Sequence, residues 1–153
     1  MQQMPTTLGK KYDLMWRGKP PHMLAPDIPV WYNFLDKWGS QFISLYYDSL
    51  LGGPDLSRDQ LKDPFLKMWR YLASKRADAI AELENEVWII EVTFDAGLRS
   101  IGQIQTYRTL WLRDPKIMKP EKCVLVCGKI SPDFLDAASM YGIMVFAAEH
   151  STY

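Results

Sequence analysis

The run Arg76-Ala77-Asp78-Ala79-Ile80-Ala81-Glu82-Leu83 is followed, across Glu84-Asn85-Glu86, by Val87-Trp88-Ile89-Ile90-Glu91-Val92-Thr93. Two apolar-rich segments of strand length flank a short polar link, which predicts a β-hairpin. If Glu84-Asn85 is a two-residue turn, Leu83 faces Glu86 and Asp78 falls opposite Glu91. A turn one residue later puts Asp78 opposite Thr93 instead. In either register, side chains alternate with period two, so Asp78 shares a face with Val87, Ile89, Glu91 and Thr93. Carboxylates facing each other across a hairpin repel. They persist where a cation, a proton or a basic side chain compensates them. Mg2+ or Mn2+ is held by such a sparse carboxylate set together with waters, and ion pairing with Arg76 or Lys75 on a solvated sheet face is the plain alternative.

Downstream of the hairpin, Asp95 to Gly97 closes the second strand. Ile101, Ile104, Tyr107 or Arg108, and Trp111 form a helical stripe, so a helix starts near Gly97 and ends before Pro115 and Pro120. Arg99, Gln103 and Tyr107 then share one helix face. Cys123 to Cys127 predicts a buried strand bounded by Gly128. Ser131-Pro132 gives the N-cap and first residue of a helix to about Tyr141, stopped by Gly142. Ile143 to Ala147 is a last apolar strand.

Upstream, Asp27 is the expected N-cap of a helix carrying Val30, Trp31, Phe34, Leu35 and Trp38, with Gly39 as its stop. Phe42 to Leu51, closed by Gly52-Gly53-Pro54, predicts a strand. Residues 54 to 64 form a polar loop or short helix, and Phe65 to Ser74 fits helix and strand equally. Residues 1–27, broken by Pro5, Pro20, Pro21 and Pro26, predict an irregular arm lying on the domain or on a partner, because Met15, Trp16, Met23 and Leu24 call for burial. The domain proper is residues 28–153. The element order predicts an α/β fold with a mixed sheet and helices on both faces.

Arg76-Ala-Asp78-Ala-Ile80, Trp88-Ile-Ile-Glu91-Val-Thr93 and Gly102-Gln103-Ile-Gln105-Thr-Tyr107 together resemble the core of the PD-(D/E)XK, restriction-endonuclease-like nucleases. The motifs occupy residues 76 to 107, and the element order extends the resemblance over about 28 to 147. It implies an αβββαβ core, Asp78 and Glu91 as ligands of Mg2+ or Mn2+, and Gln103 and Tyr107 as the Q-x-x-x-Y pair that leans toward the site. The family's E-x-K lysine is Thr93 here, and Thr supplies no positive charge. Arg99 and Lys75 are the local candidates to replace it. Asp36 or Asp48 stands where the family often has a further acidic residue. Two functions follow from the resemblance. The one favoured by the missing lysine, the neutral charge and the aromatic, proline-rich N-terminal half is a nuclease fold with impaired or lost catalysis, serving as a structural or interaction module, as in phage neck or head-completion assembly beside a portal, in the host cytoplasm or the virion. The other is an active DNA endo- or exonuclease with a rearranged site. Homo-oligomers and DNA are the implied partners.

Composition narrows the classes further. The chain has 153 residues, 48% of them hydrophobic, with 18 acidic and 18 basic side chains. That length suits one domain with a real core. A neutral balance gives no global field for nucleic acid, so any such surface must be local. No apolar run approaches the ~20 residues of a membrane span, and Met1 to Lys11 lacks the apolar core of a signal peptide. Cys123 and Cys127, ~13 Å apart along a strand, are too distant for a disulfide and suit a reducing compartment as small buried hydrophobes. With only His22 and His150 beside two cysteines, a structural zinc site is not expected. Both histidines are expected in solvated loops. Arg108, Arg113, Lys116, Lys119 and Lys122 are expected as a solvated charged face. Six Trp, eight Tyr and eight Met in so short a chain point either to an aromatic core or to a contact surface.

Overall fold

The computed structural model describes residues 6–148. Six strands form one mixed sheet in chain order: β1 (Lys11–Tyr12), β2 (Ser44–Leu51), β3 (Lys75–Glu82), β4 (Val87–Ala96), β5 (Glu121–Ile130) and β6 (Ile143–Ala147). β1 through β4 are antiparallel neighbours, while β4, β5 and β6 run parallel. Four helices flank the sheet: α1 (Asp27–Trp38), α2 (Pro64–Ala73), α3 (Leu98–Arg113) and α4 (Pro132–Met140). The parallel steps need crossovers, and α3 and α4 supply them.

Alternation along the central strands divides the core in two. Trp88, Ile90 and Val92 pack with Val124 and Val126 against Val30, Trp31, Phe34 and Leu35 of α1. On the other face, Val87 and Ile89 meet Tyr107 and Trp111 of α3, and Cys123, Leu125 and Cys127 meet Ile101 and Ile104. Helices thus cover both faces, and the two cysteines are free and buried. Burial raises their thiols to about 11 and about 12, so they serve as packing. Arg108, the alternative to Tyr107 in the α3 stripe, is exposed. Among the described residues, no helix is long and apolar enough to cross a membrane.

The structure corrects three readings and decides a fourth that the sequence leaves open. Pro26, not Asp27, occupies the N-cap of α1, and Asp27 sends its carboxylate to β4 instead. Phe65 to Ser74, which fits helix and strand equally by sequence, lies in helix α2 as far as Ala73 with Ser74 as its C-cap, because Asp63 accepts the Phe65 N–H at 2.9 Å and Pro64 preorganises the first turn. β5 runs past Gly128, which is an interior residue: a Cβ there would lie 2.7 Å from the Phe94 carbonyl oxygen of β4. In the arm, Met23 is buried and Trp16 packs on the core, but Met15 and Leu24 are exposed. The arm's residues from Thr6 onward lie along the sheet edge, where Thr7 bridges Leu50 and β1 pairs with β2.

Candidate active site

The hairpin register is set by Ala79 opposite Ile90, Ile80 opposite Ile89, Ala81 opposite Trp88 and Glu82 opposite Val87. The Leu83 amide donates to the Glu86 carbonyl at 2.8 Å, so the link is the two-residue turn Glu84-Asn85. One step beyond Ala79–Ile90, the register brings Asp78 across from Glu91. There the β3–β4 ladder stops, while β4 continues beside β5 as far as Ala96.

Separation of β3 from β4 leaves the outward-pointing amides of β4 without ladder partners. Buried amides must be paired, and two carboxylates pair them. Asp78 Oδ2 accepts the Val92 N–H at 2.7 Å, and Asp27 Oδ1 accepts the Phe94 N–H at 2.7 Å. The strands open as a wedge, and acids line it. On the neighbouring strand, β2–β3 pairing skips Asp48, which is held at φ 58° between the Tyr47–Ala79 and Ser49–Ala77 pairs. Asp tolerates this left-handed conformation better than most residues. Its carboxylate lies 3.3 Å from Arg76 Nε and 3.2 Å from His22 Nε2.

The wedge opens into a cleft of about 760 Å³. Asp78, Glu91, Arg99, Gln103 and Tyr107 all line it, as do Lys75 and Thr93. Arg99, Gln103 and Tyr107 therefore do share one face of α3. That helix begins at the cleft with Gly97 as N-cap and no side chain capping its first amides, and such a helix end favours anions. Lys75 and Arg99 are exposed, and neither forms an ion pair with a described carboxylate. Thr93 turns its hydroxyl along its own strand, 3.3 Å from the Asp95 carbonyl.

Electrostatics single out one acid. Glu91 is only 8% exposed, and its Oε2 is buried without a hydrogen-bond partner. Burial first, then the charge of Asp78 beside it, raises its carboxyl well above the ordinary carboxylate range. Asp78 is raised as well, chiefly by burial, although hydrogen bonding with the Glu91 carboxyl and then with the Val92 amide works against the shift. Asp27 is raised by burial. Burial and the neighbouring Glu91 push the Tyr107 phenol up. The pair Asp78–Glu91 therefore holds a proton at neutral pH unless a cation takes the proton's place.

Two metal-binding expectations meet the geometry differently. Among the described residues, no group of three or more His, Cys, Asp or Glu side chains is arranged as a metal cage. Mg2+ needs less than a cage, since one or two carboxylates with waters suffice, and the unpartnered Glu91 oxygen beside Asp78 fits that mode. Asp36 is outside the cleft, exposed and paired with Arg17 at 2.7 Å. Asp48 is in it. Asp27, expected as a helix cap, gives no sign in the sequence of its place at the cleft, because its contact with Phe94 spans 67 residues. His22 lines the cleft rather than a free loop, touching Asp48 and the Tyr71 hydroxyl, and His150 lies outside the described residues. The basic stretch is largely paired: Arg108 with Glu121, Lys116 with Asp114, Lys119 with Glu82 and Lys122 with Glu86. A smaller hollow of about 290 Å³ between α1 and β6 is mainly apolar and carries Lys37 as its one charged residue among the described residues.

In comparisons with known proteins, no family model matches the chain, and no curated protein or solved structure matches it either.

Proposed function

We propose that this chain is a metal-dependent deoxyribonuclease of the PD-(D/E)XK type, with its lysine role moved away from Thr93. The observation that carries the reading is the buried Glu91 Oε2 beside Asp78, without a hydrogen-bond partner among the described residues, in a cleft lined also by the Lys75 and Arg99 side chains, neither of them ion-paired among those residues. Sheet order supports it: an antiparallel run through the hairpin, then a parallel strand reached through α3. Asp78 and Glu91 would hold Mg2+ or Mn2+, which supplies charge stabilisation at the phosphate and a lowered pKa for water. The cleft's several carboxylates repel a phosphodiester, so phosphate entry depends on that cation and on Lys75 and Arg99. Tyr107 and Gln103 offer hydrogen bonds at the cleft wall, and the uncapped start of α3 offers amides.

The test pairs calorimetry with cleavage. Mn2+ binding and cutting of plasmid and single-stranded DNA are expected in the wild type and absent in Asp78→Ala with Glu91→Ala. Lys75→Ala or Arg99→Ala, whichever residue carries the displaced role, lowers the rate by about 10²–10³ while metal binding persists. Metal binding without cutting of any DNA defeats the enzymatic reading.

A second reading has its own observation. Thr93 in place of lysine and an exposed apolar face on α2 favour a catalytically silent module that docks to other proteins or to copies of itself, as in phage neck or head-completion assembly. That reading expects a folded protein with no metal binding at Asp78 and Glu91 and with a concentration-dependent oligomer.

A further inference from the structure

Helix α2 buries none of its residues. Its exposed side chains include Phe65 at 79%, Met68 at 57%, Trp69 at 49% and Leu72 at 70%. These positions are spaced i, i+3, i+4 and i+7, which makes one stripe along the helix. A soluble domain ordinarily turns such a stripe inward. Here the opposite side is the one tied down: Arg70 donates to the Thr7 hydroxyl at 2.6 Å, and the Arg76 guanidinium lies 3.7 Å from the Tyr71 ring centroid. The stripe is not isolated from the site, because Leu72 at its C-terminal end lines the carboxylate cleft next to Lys75.

Charge identifies the occupant. From Asp55 to Arg76 the chain carries six basic residues (Arg58, Lys62, Lys67, Arg70, Lys75, Arg76) against three acidic ones (Asp55, Asp59, Asp63), while the whole chain is neutral. Flat exposed aromatics inside a locally basic segment suit a polyanion with open π-faces. Duplex DNA hides those faces, whereas a single strand presents them.

Resting on the nuclease reading above, we propose that α2 is a stacking platform for single-stranded DNA, with Phe65 and Trp69 taking successive bases and Lys75 leading the backbone from Leu72 into the cleft. The chain's substrate class is then single-stranded DNA, or the unpaired end of a flap, rather than intact duplex.

The experiment separates this proposal from the nuclease reading by measuring binding in EDTA. Fluorescently labelled oligothymidylate and a duplex of matched length are titrated, by anisotropy, against wild type, Phe65→Ala with Trp69→Ala, Lys75→Ala, and Asp78→Asn with Glu91→Gln. Circular dichroism confirms that each variant is folded, which exposed substitutions on α2 should be. The single strand is expected to bind more tightly than the duplex. The aromatic double variant should weaken that binding on the order of tenfold or more per aromatic removed, and the carboxylate variant should bind at least as tightly as the wild type, because it removes charges that repel the backbone when no cation is bound. Trp69→Phe should lose part of the intrinsic tryptophan quenching on oligothymidylate addition. If DNA is cut in a manner dependent on Asp78 and Glu91 yet the aromatic variant binds and cuts single strands as the wild type does, the platform is wrong and the nuclease stands. If nothing is cut but the aromatic variant loses single-strand binding, the platform stands without the nuclease. Absence of any single-strand preference overturns the platform. So does a wild-type dimer, seen by sedimentation, that the aromatic variant turns to monomer with DNA binding unchanged; in that case a second copy covers the stripe.

Discussion

Glu91 concentrates the cost of the site in one side chain. An unpaired buried polar atom costs about 1–3 kcal/mol, and Glu91 Oε2 has no partner. Its folded pKa is raised above the ~4.3 of an unfolded glutamate, so the folded state binds the extra proton between those values. Stability from this group is therefore present in acid and lost as pH rises. Glu91→Gln removes the titration and leaves a neutral side chain of the same shape. The variant should melt close to wild type near pH 4 and higher than wild type at pH 8, by roughly 2–4 °C for each kcal/mol of titration-linked stability regained. Calorimetric melts across that range decide it, and a lower melting temperature for the variant at pH 8 would sink the account. Asp78 and Glu91 were legible in the sequence because a strand has period two and a hairpin has few registers. Asp27 was not, since a carboxylate followed by Ile-Pro has the look of a helix cap, and only the parting of β3 from β4 gives it another amide to bind.

The strands and helices were mostly legible for the same reason, as apolar periodicity marks them wherever one face is buried. Residues 64–73 escaped because their stripe faces outward, so the pattern gave no burial to arbitrate between helix and strand; the Asp63-Pro64 start, which parallels Ser131-Pro132, held the missing signal. Gly128 misled in the other direction. It resembled a strand end, yet it serves the β4–β5 pair by letting the Phe94 backbone and ring come close. The parallel pairing from Val92–Val126 to Ala96–Ile130 carries the open half of β4, whose other edge has lost β3. Gly128→Ala must push β4 aside at the wedge. It should destabilise the fold by about 1–3 kcal/mol through overpacking, measured by urea denaturation. Because Phe94 follows Thr93 and shares the strand with Glu91, it should also weaken Mn2+ binding. Unchanged stability would mean that β4 and β5 are free to separate there.

At the scale of the whole molecule, the proposed metal site would set folding and metal binding in competition for the same protons. Asp78 and Asp27 take up the β4 amides where β3 parts from β4, Asp48 lines the same cleft, and burial raises the Glu91 carboxyl. Binding of Mn2+ to Asp78 and Glu91 requires both as carboxylates, so it must release the proton they hold. Two consequences follow together. Metal should raise the melting temperature more at pH 8 than at pH 5, because fewer protons need displacing; at a metal concentration of 100 times Kd the stabilisation is about 2.7 kcal/mol, or roughly 5–11 °C for a domain of this size. The calorimetric binding enthalpy at pH 7 should vary with the ionisation heat of the buffer, with a slope near the one proton released. Asp78→Asn should abolish both effects, and Asp36→Asn, which alters an exposed acid outside the cleft, should leave both intact. A melting shift that is the same at pH 5 and pH 8, or one that survives in Asp78→Asn, would place the cation elsewhere on the surface, and the wedge of acids would then be a structural device for ending the β3–β4 ladder.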